Sequence, residues 1–91
     1  MKKILEIDDI EKPASEFAIT RGWWQCKFTS PTFNGVPDRL YIRNGVVIFI
    51  EYKAPDKPPT AQQLKRHREM RKHGATVYVV DNLDRAKEIL L

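Results

Sequence analysis

Cysteine, long apolar runs and, over one long stretch, acidic residues are what this 91-residue sequence has least of. A lone Cys26 excludes an internal disulfide and a thiolate metal cluster, and it is interpreted as a small hydrophobic residue rather than a nucleophile. The apolar runs are too short to cross a bilayer, so no membrane partner is expected. The N-terminus reaches acidic residues by Glu6, before the apolar region that a signal peptide needs. A cytoplasmic protein is therefore predicted.

Acidic residues are scarce over residues 53–73, "KAPDKPPTAQQLKRHREMRKH", which hold two of the 12 acidic residues but seven of the 16 lysines and arginines. The whole chain has a net charge of +4 and a pI of about 9.4. A basic stretch of this kind suits a polyanion such as nucleic acid, because neutralising phosphates releases condensed counterions. A solvated helix face is the alternative interpretation.

The pattern of apolar residues and breakers predicts one domain over residues 1–91, with elements in the order α-β-β-β-α-β-α. Apolar residues at helical spacing predict a first helix over residues 10–21, with Pro13 near its first turn and Gly22 as its stop. Two further helices are predicted, over residues 61–74 and 82–91. The crossover helix would make the third and fourth strands parallel, so the fold class is α/β, a small mixed sheet flanked by helices.

An Asn-Gly pair lies between the apolar runs "DRLYIR" and "VVIFIEYK", and it predicts a two-residue hairpin turn. With Asn44 and Gly45 as the turn, the register places Asp38 opposite Glu51. Like charges opposite each other destabilise a sheet, so this pair needs compensation. A divalent cation between the carboxylates would supply it, with Lys53 contributing. A salt-bridged sheet end, with Lys53 paired to one of the acids, is the structural alternative.

The segments "GVPD", "IEYK" and "TAQQLKRHREMRKHGATVYVV" together resemble the VRR-NUC family of the PD-(D/E)xK nuclease superfamily, in its small stand-alone form found in phages and bacteria. The resemblance runs from about residue 10 to residue 80. The proline before the aspartate, the hairpin length and the spacing of Gln63, Met70 and Gly74 make it specific. It implies a restriction-endonuclease-like core and, for a phage protein, action in the host cytoplasm.

Carried over to this sequence, the resemblance implies that Asp38 and Glu51 bind Mg²⁺ or Mn²⁺ together with the backbone carbonyl of Tyr52. Lys53 would position or deprotonate the attacking water and stabilise developing phosphate charge. Gln63 matches the family's helix glutamine, although Thr60-x-x-Gln63 is also a capping-box pattern.

A first-helix glutamate also belongs to the family's site, and this sequence offers Glu11 and Glu16. Glu11 is preferred because it lies at the edge of the helix's apolar face, whereas Glu16 points away. Pro13 argues the other way, since the residues just before a proline resist helical geometry.

The resemblance and the charge pattern together predict a metal-dependent, structure-selective DNA endonuclease, with branched or junction DNA as the favoured substrate and a Holliday-junction-resolving homodimer as the favoured form. Flap, nicked or linear duplex DNA is the alternative substrate, and a non-catalytic nucleic-acid-binding module or a protein-interaction domain is the alternative class. DNA phosphates are expected to contact some of the basic residues around the second helix: Lys57, Lys65, Arg66 and Arg68.

Two further pairs of residues give expectations about burial. His67 and His73 are six residues apart, which places them on opposite sides of a helix, and both are expected to be exposed or to contact phosphate. Trp23 and Trp24 occupy adjacent strand positions, so one is expected to be buried and the other exposed. The exposed tryptophan would suit a dimer interface.

Overall fold

Seven elements appear in the predicted order in a computed structural model, which describes residues 5–91. The three helices are α1 (Asp8–Thr20), α2 (Ala61–Lys72) and α3 (Leu83–Ile89). The four strands are β1 (Trp24–Lys27), β2 (Arg39–Arg43), β3 (Val46–Tyr52) and β4 (Thr76–Val80). The predicted α/β class is confirmed. No helix within residues 5–91 has the length and apolar character needed to cross a membrane.

The strands form one mixed sheet in the order β1-β2-β3-β4. The first three strands are antiparallel, and β4 is parallel to β3 because α2 carries the chain back across the sheet. Asn44 and Gly45 have φ angles of 50° and 80°, the positive values that the predicted hairpin turn requires. Arg43 pairs with Val46, so the predicted register is confirmed.

The apolar core lies between one face of the sheet and the helices α1 and α3. The strands contribute large buried side chains, among them Tyr41, Ile50 and Tyr52, and the helices contribute alanines together with Ile10 and Leu90. The buried helix residues are those at helical spacing in the sequence: Ile10, Ala14, Ala18, Ala86 and Leu90. Helix α2 packs on the opposite face of the sheet, where it is neighbour to β4 and to the end of β3.

Helix α1 begins at Asp8, earlier than predicted, so Pro13 lies inside the helix and the prediction that it would be near the first turn is wrong. The acids of the first turn, Asp8, Asp9 and Glu11, account for the earlier start, because negative charge stabilises the positive end of the helix dipole. The Asp9 carboxylate also accepts a 2.9 Å hydrogen bond from the backbone N–H of Glu6. Glu11 therefore lies within the helix despite the proline.

The two tryptophans divide as expected. Trp23 is 7% exposed, and its indole Nε1 donates a 2.9 Å hydrogen bond to the carbonyl of Leu90. Trp24 is 60% exposed. Strand pairing aligns Trp24 with Ile42 and Ile42 with Val47, so these three residues form an apolar row across one face of the sheet. Val47 is also exposed.

Candidate active site

Asp38 is fixed by backbone hydrogen bonds at the point where the chain enters β2. Its Oδ2 accepts a 2.8 Å hydrogen bond from the backbone N–H of Tyr52, the last residue of β3. Its own carbonyl accepts a 2.7 Å bond from the N–H of Phe28. The hairpin therefore brings this carboxylate to the end of β3, beside Glu51, where the register of the sequence predicted it.

Glu51 is a buried acid, with 2% of its surface exposed. Its pKa is raised to about 8, chiefly by burial and then by a hydrogen bond with Asp38 and the charge of Asp38, while the Lys53 ammonium acts in the opposite direction. Its Oε1 has no hydrogen-bond partner within residues 5–91. A carboxylate in this position is unfavourable in its charged form unless a cation accompanies it.

The donor set fits Mg²⁺ or Mn²⁺. Two carboxylates and a backbone carbonyl are hard oxygen ligands, and Mg²⁺ is held through one or two carboxylates plus substrate phosphates rather than by a complete protein cage. Residues 5–91 contain no cluster of three or more histidine, cysteine or acidic side chains suited to a metal. The backbone of Tyr52 lies beside Asp38. Its side chain lies on the other face of the sheet, where its hydroxyl is 2.7 Å from the Tyr41 hydroxyl.

Lys53 follows β3 directly, and its backbone N–H donates a 2.8 Å bond to the carbonyl of Val80. Its ammonium is close enough to lower the pKa of Glu51. Among the salt bridges of the described residues, none joins Lys53 to Asp38 or Glu51. The salt-bridged sheet end considered as the alternative is therefore not what these residues form.

The first-helix glutamates take different positions. Glu11 is buried on the sheet side of α1 and accepts a 2.7 Å hydrogen bond from Nε of Arg39. The Nη1 atom of Arg39 also donates a hydrogen bond to Oε1 of Gln25. The charge of Glu11 contributes to the raised pKa of Glu51, so the two acids lie in the same electrostatic environment. Glu16 is exposed. The preference for Glu11 over Glu16 agrees with this placement.

Gln63 forms the capping box considered as its structural role. Its Oε1 accepts a 2.9 Å bond from the Thr60 N–H, and its own N–H donates a 3.1 Å bond to Thr60 Oγ1. None of the side-chain hydrogen bonds found within residues 5–91 uses its amide Nε2. The cap fixes the glutamine at the start of α2.

The loop that leads into Asp38 is packed tightly on the start of α2. Gly35 has a φ of 82°, and a Cβ at this position would lie 2.8 Å from the carbonyl oxygen of Gln62. Only glycine allows both the backbone conformation and the close approach. The position of the Val-Pro-Asp segment thus depends on contact between this loop and α2.

Arg66 holds the same loop from the helix side. Its guanidinium lies 4.4 Å from the ring centre of Phe33, its Nε donates a 2.9 Å bond to the carbonyl of Asn34, and its Nη1 bonds Glu69. These contacts occupy Arg66 within the chain. The other predicted phosphate ligands are on the surface: Lys57, Lys65 and Arg68.

The prediction that His67 would be exposed is wrong. Its side chain is fully buried, with Nε2 3.4 Å from Oε1 of Glu51, and burial followed by the charge of Arg71 lowers its pKa. Residue 67 lies one helical turn after Gln63, so it faces the sheet. This spacing is the signal that could have placed it. His73 is exposed, with Nδ1 2.8 Å from the carbonyl of Glu69.

Comparison with known proteins identifies the class. No protein-family model matches the chain. A solved structure described as "VRR_NUC domain" has a TM-score of 0.84 and 29% identity, with 92% of each chain covered. "Putative nuclease p44" of Acyrthosiphon pisum secondary endosymbiont phage 1 is 40% identical over 83 residues, which cover 90% of this chain and 89% of the relative. The fold and these likenesses define a nuclease. The chain belongs to the VRR-NUC family.

Proposed function

We propose that the protein is a metal-dependent, structure-selective DNA endonuclease that hydrolyses phosphodiester bonds with Mg²⁺ or Mn²⁺. The observation that carries this proposal is the position of Asp38 beside the buried Glu51, whose pKa is raised to about 8 by burial and then by Asp38. A buried carboxyl group whose ionisation is opposed by burial and by a neighbouring acid gains from a divalent cation that both acids can bind. Asp38, Glu51 and the backbone carbonyl of Tyr52 are the proposed ligands.

Bound there, the cation would act as a Lewis acid and lower the pKa of a coordinated water. The residues of the chain have separate tasks. Asp38 keeps its orientation through the Tyr52 N–H, so its position does not depend on a flexible side-chain partner. Lys53, beside Glu51, orients the attacking water or takes its proton, and its charge stabilises the phosphate in the transition state. Glu11 and the Gln63 amide support the site from α1 and α2.

Nucleic acid would approach the site across the basic surface of α2 and the segment before it. Lys57, Lys65 and Arg68 are exposed there and suit phosphate contacts, which give affinity without sequence preference. Arg66 is given a smaller part in binding, since its guanidinium is already engaged by Phe33, Asn34 and Glu69.

A homodimer that resolves four-way junctions is the form we propose. The apolar row of Trp24, Ile42 and Val47 is a surface suited to self-association, because aromatic and apolar residues at the centre of an interface carry most of its energy. A two-fold axis through such a surface would present two sites to two strands. The place of action in this proposal is the bacterial cytoplasm, in keeping with a relative from a phage.

The test is a panel of end-labelled substrates built from the same arms: a four-way junction, a linear duplex, a nicked duplex and a flap. Each is incubated with Mg²⁺, with Mn²⁺ and with EDTA. Paired nicks confined to the junction and lost in EDTA are expected. Equal cleavage of every substrate would remove the junction preference and keep the nuclease. Binding without cleavage in any lane would indicate a non-catalytic nucleic-acid-binding module.

A further inference from the structure

A buried pair of polar side chains joins α2 to the end of β3. The Nε2 atom of His67 lies 3.4 Å from Oε1 of Glu51, and the two side chains are 0% and 3% exposed. No other hydrogen-bond partner within residues 5–91 serves either atom. His67 is also the single residue of α2 that is fully buried. The helix therefore meets the sheet through an imidazole at the position where an apolar side chain would be expected.

Such a residue is costly unless it has a task. A buried polar group without a partner costs about 1–3 kcal/mol, and an apolar side chain of similar size would avoid that cost. Satisfied polar groups are the rule in protein interiors, so each unsatisfied one requires an explanation. Within the described residues, one side chain contacts Nε2 of His67 with a polar atom. That atom is Oε1 of Glu51. The imidazole is therefore directed at the acid of the candidate metal site.

We propose that His67 is a positioning residue, whose Nε2–H donates a hydrogen bond to Oε1 of Glu51 and holds that carboxylate in the orientation that binds the cation. The inference rests on the proposed metal-dependent function. A separation of 3.4 Å is long for this bond, and hydrogen bonds of active sites commonly shorten when the site is loaded. Partners of this kind fix the orientation of metal ligands, and their loss lowers metal affinity about 10–100-fold.

The burial of His67 separates this task from catalysis. A side chain with no exposed surface does not reach a phosphate on the substrate, so it acts through Glu51. His73 provides a matched control, because it lies on the same basic segment six residues later and is exposed.

The experiment compares wild type with His67→Leu, His67→Gln and the control His73→Leu. Binding of Mn²⁺ is measured by electron paramagnetic resonance in the absence of DNA, cleavage is measured as a function of metal concentration, and folding is measured by urea unfolding in EDTA. His67→Leu is expected to fold, to bind Mn²⁺ about 10–100-fold more weakly, and to need correspondingly more metal for half-maximal cleavage. His67→Gln, which keeps an N–H donor, should recover part of the affinity, and His73→Leu should match wild type in Mn²⁺ affinity.

An Mn²⁺ affinity within twofold of wild type for His67→Leu would overturn the inference. So would a directly bound nitrogen in the pulsed resonance spectrum of wild type, because His67 would then be a ligand. If His67→Leu does not fold, His67→Met, which also lacks an N–H donor, decides by the same affinity criterion. A wild type that binds no Mn²⁺ and cuts DNA equally well in EDTA would refute the proposed function itself. That result differs from the one that overturns the inference about His67 alone, in which wild type and His67→Leu bind Mn²⁺ equally well.

Discussion

The backbone N–H of Tyr52 donates a 2.8 Å hydrogen bond to Oδ2 of Asp38, a residue fourteen positions earlier in the chain. This bond ties the end of β3 to the residue that precedes β2, and it holds the first acid of the site beside Glu51. The arrangement is set by the backbone of the hairpin, so a substitution that changes the charge of either acid should leave the fold intact.

Replacing Glu51 with glutamine should stabilise the metal-free protein at alkaline pH. The pKa of Glu51 is raised in the fold from 4.5 to about 8, so the fold favours its protonated form. The contribution of this group to stability is complete below pH 4.5 and is lost progressively as the pH rises to about 8. The neutral amide of the Glu51→Gln variant would carry no such loss. Urea unfolding in EDTA should show Glu51→Gln more stable than wild type by an amount on the order of a few kcal/mol at pH 8.5, and near wild type at pH 4. Parallel pH profiles for the two proteins would contradict this.

Divalent metal should stabilise wild type against heat. Binding to the native state alone adds about 2.7 kcal/mol when the free metal is 100-fold above its Kd. For a domain of this size, 1 kcal/mol corresponds to about 4–8 °C in Tm. Differential scanning fluorimetry with Mg²⁺ or Mn²⁺ should therefore show a clear rise that Asp38→Asn and Glu51→Gln lack. An equal rise in all three proteins would place the cation elsewhere.

Gly35→Ala should destabilise the protein more than Gly45→Ala. Both positions have similar positive φ angles, 82° and 80°, so the backbone cost of about 1–2 kcal/mol is shared. At Gly35 the new Cβ would meet the Gln62 carbonyl at 2.8 Å, whereas at Gly45 nothing lies within 4 Å. The difference between the two variants in urea unfolding should be about 1–3 kcal/mol. Gly35→Ala should also slow cleavage, because the loop positions Asp38; equal stabilities would refute the packing argument.

Trp24→Lys should convert the proposed dimer to a monomer without unfolding it. Trp24 is 60% exposed within one chain, so its replacement removes little from the core. Ile19→Lys is the matched control, since Ile19 is equally exposed on α1, away from the apolar row. Sedimentation equilibrium should give a dimer for wild type and Ile19→Lys and a monomer for Trp24→Lys. A Trp24→Lys dimer would exclude this row as the interface.

Local patterns were sufficient to predict the hairpin and its two acids. Asn44-Gly45 determines both the turn and the register of the hairpin, because a two-residue loop leaves the strands no freedom to shift. The pairing of Asp38 with Glu51 could therefore be predicted by counting residues from the turn. The sheet order followed in the same way from one hairpin and one crossover helix. The start of α1 did not, because the effect of Asp8 and Asp9 on the helix N-terminus outweighed the expectation based on Pro13.

The surroundings of the site were harder to predict. Helix α2 has almost no apolar periodicity to show which side faces the sheet, so His67 was placed in solvent, and its spacing of four residues from Gln63 was the one indication of burial. Arg66 was grouped with the phosphate ligands on charge alone. Its contacts with Phe33 and Asn34 depend on a loop whose path only the folded structure supplies.

The metal-dependent mechanism that uses Lys53 is tested most directly by single-turnover cleavage of the preferred labelled substrate. Wild type and Lys53→Ala are compared, each with Mg²⁺ and with EDTA. Wild type is expected to cleave with Mg²⁺ only, and Lys53→Ala is expected to cleave at least about 100-fold more slowly while it retains DNA binding. Cleavage by Lys53→Ala at the wild-type rate, or by wild type in EDTA, would contradict it.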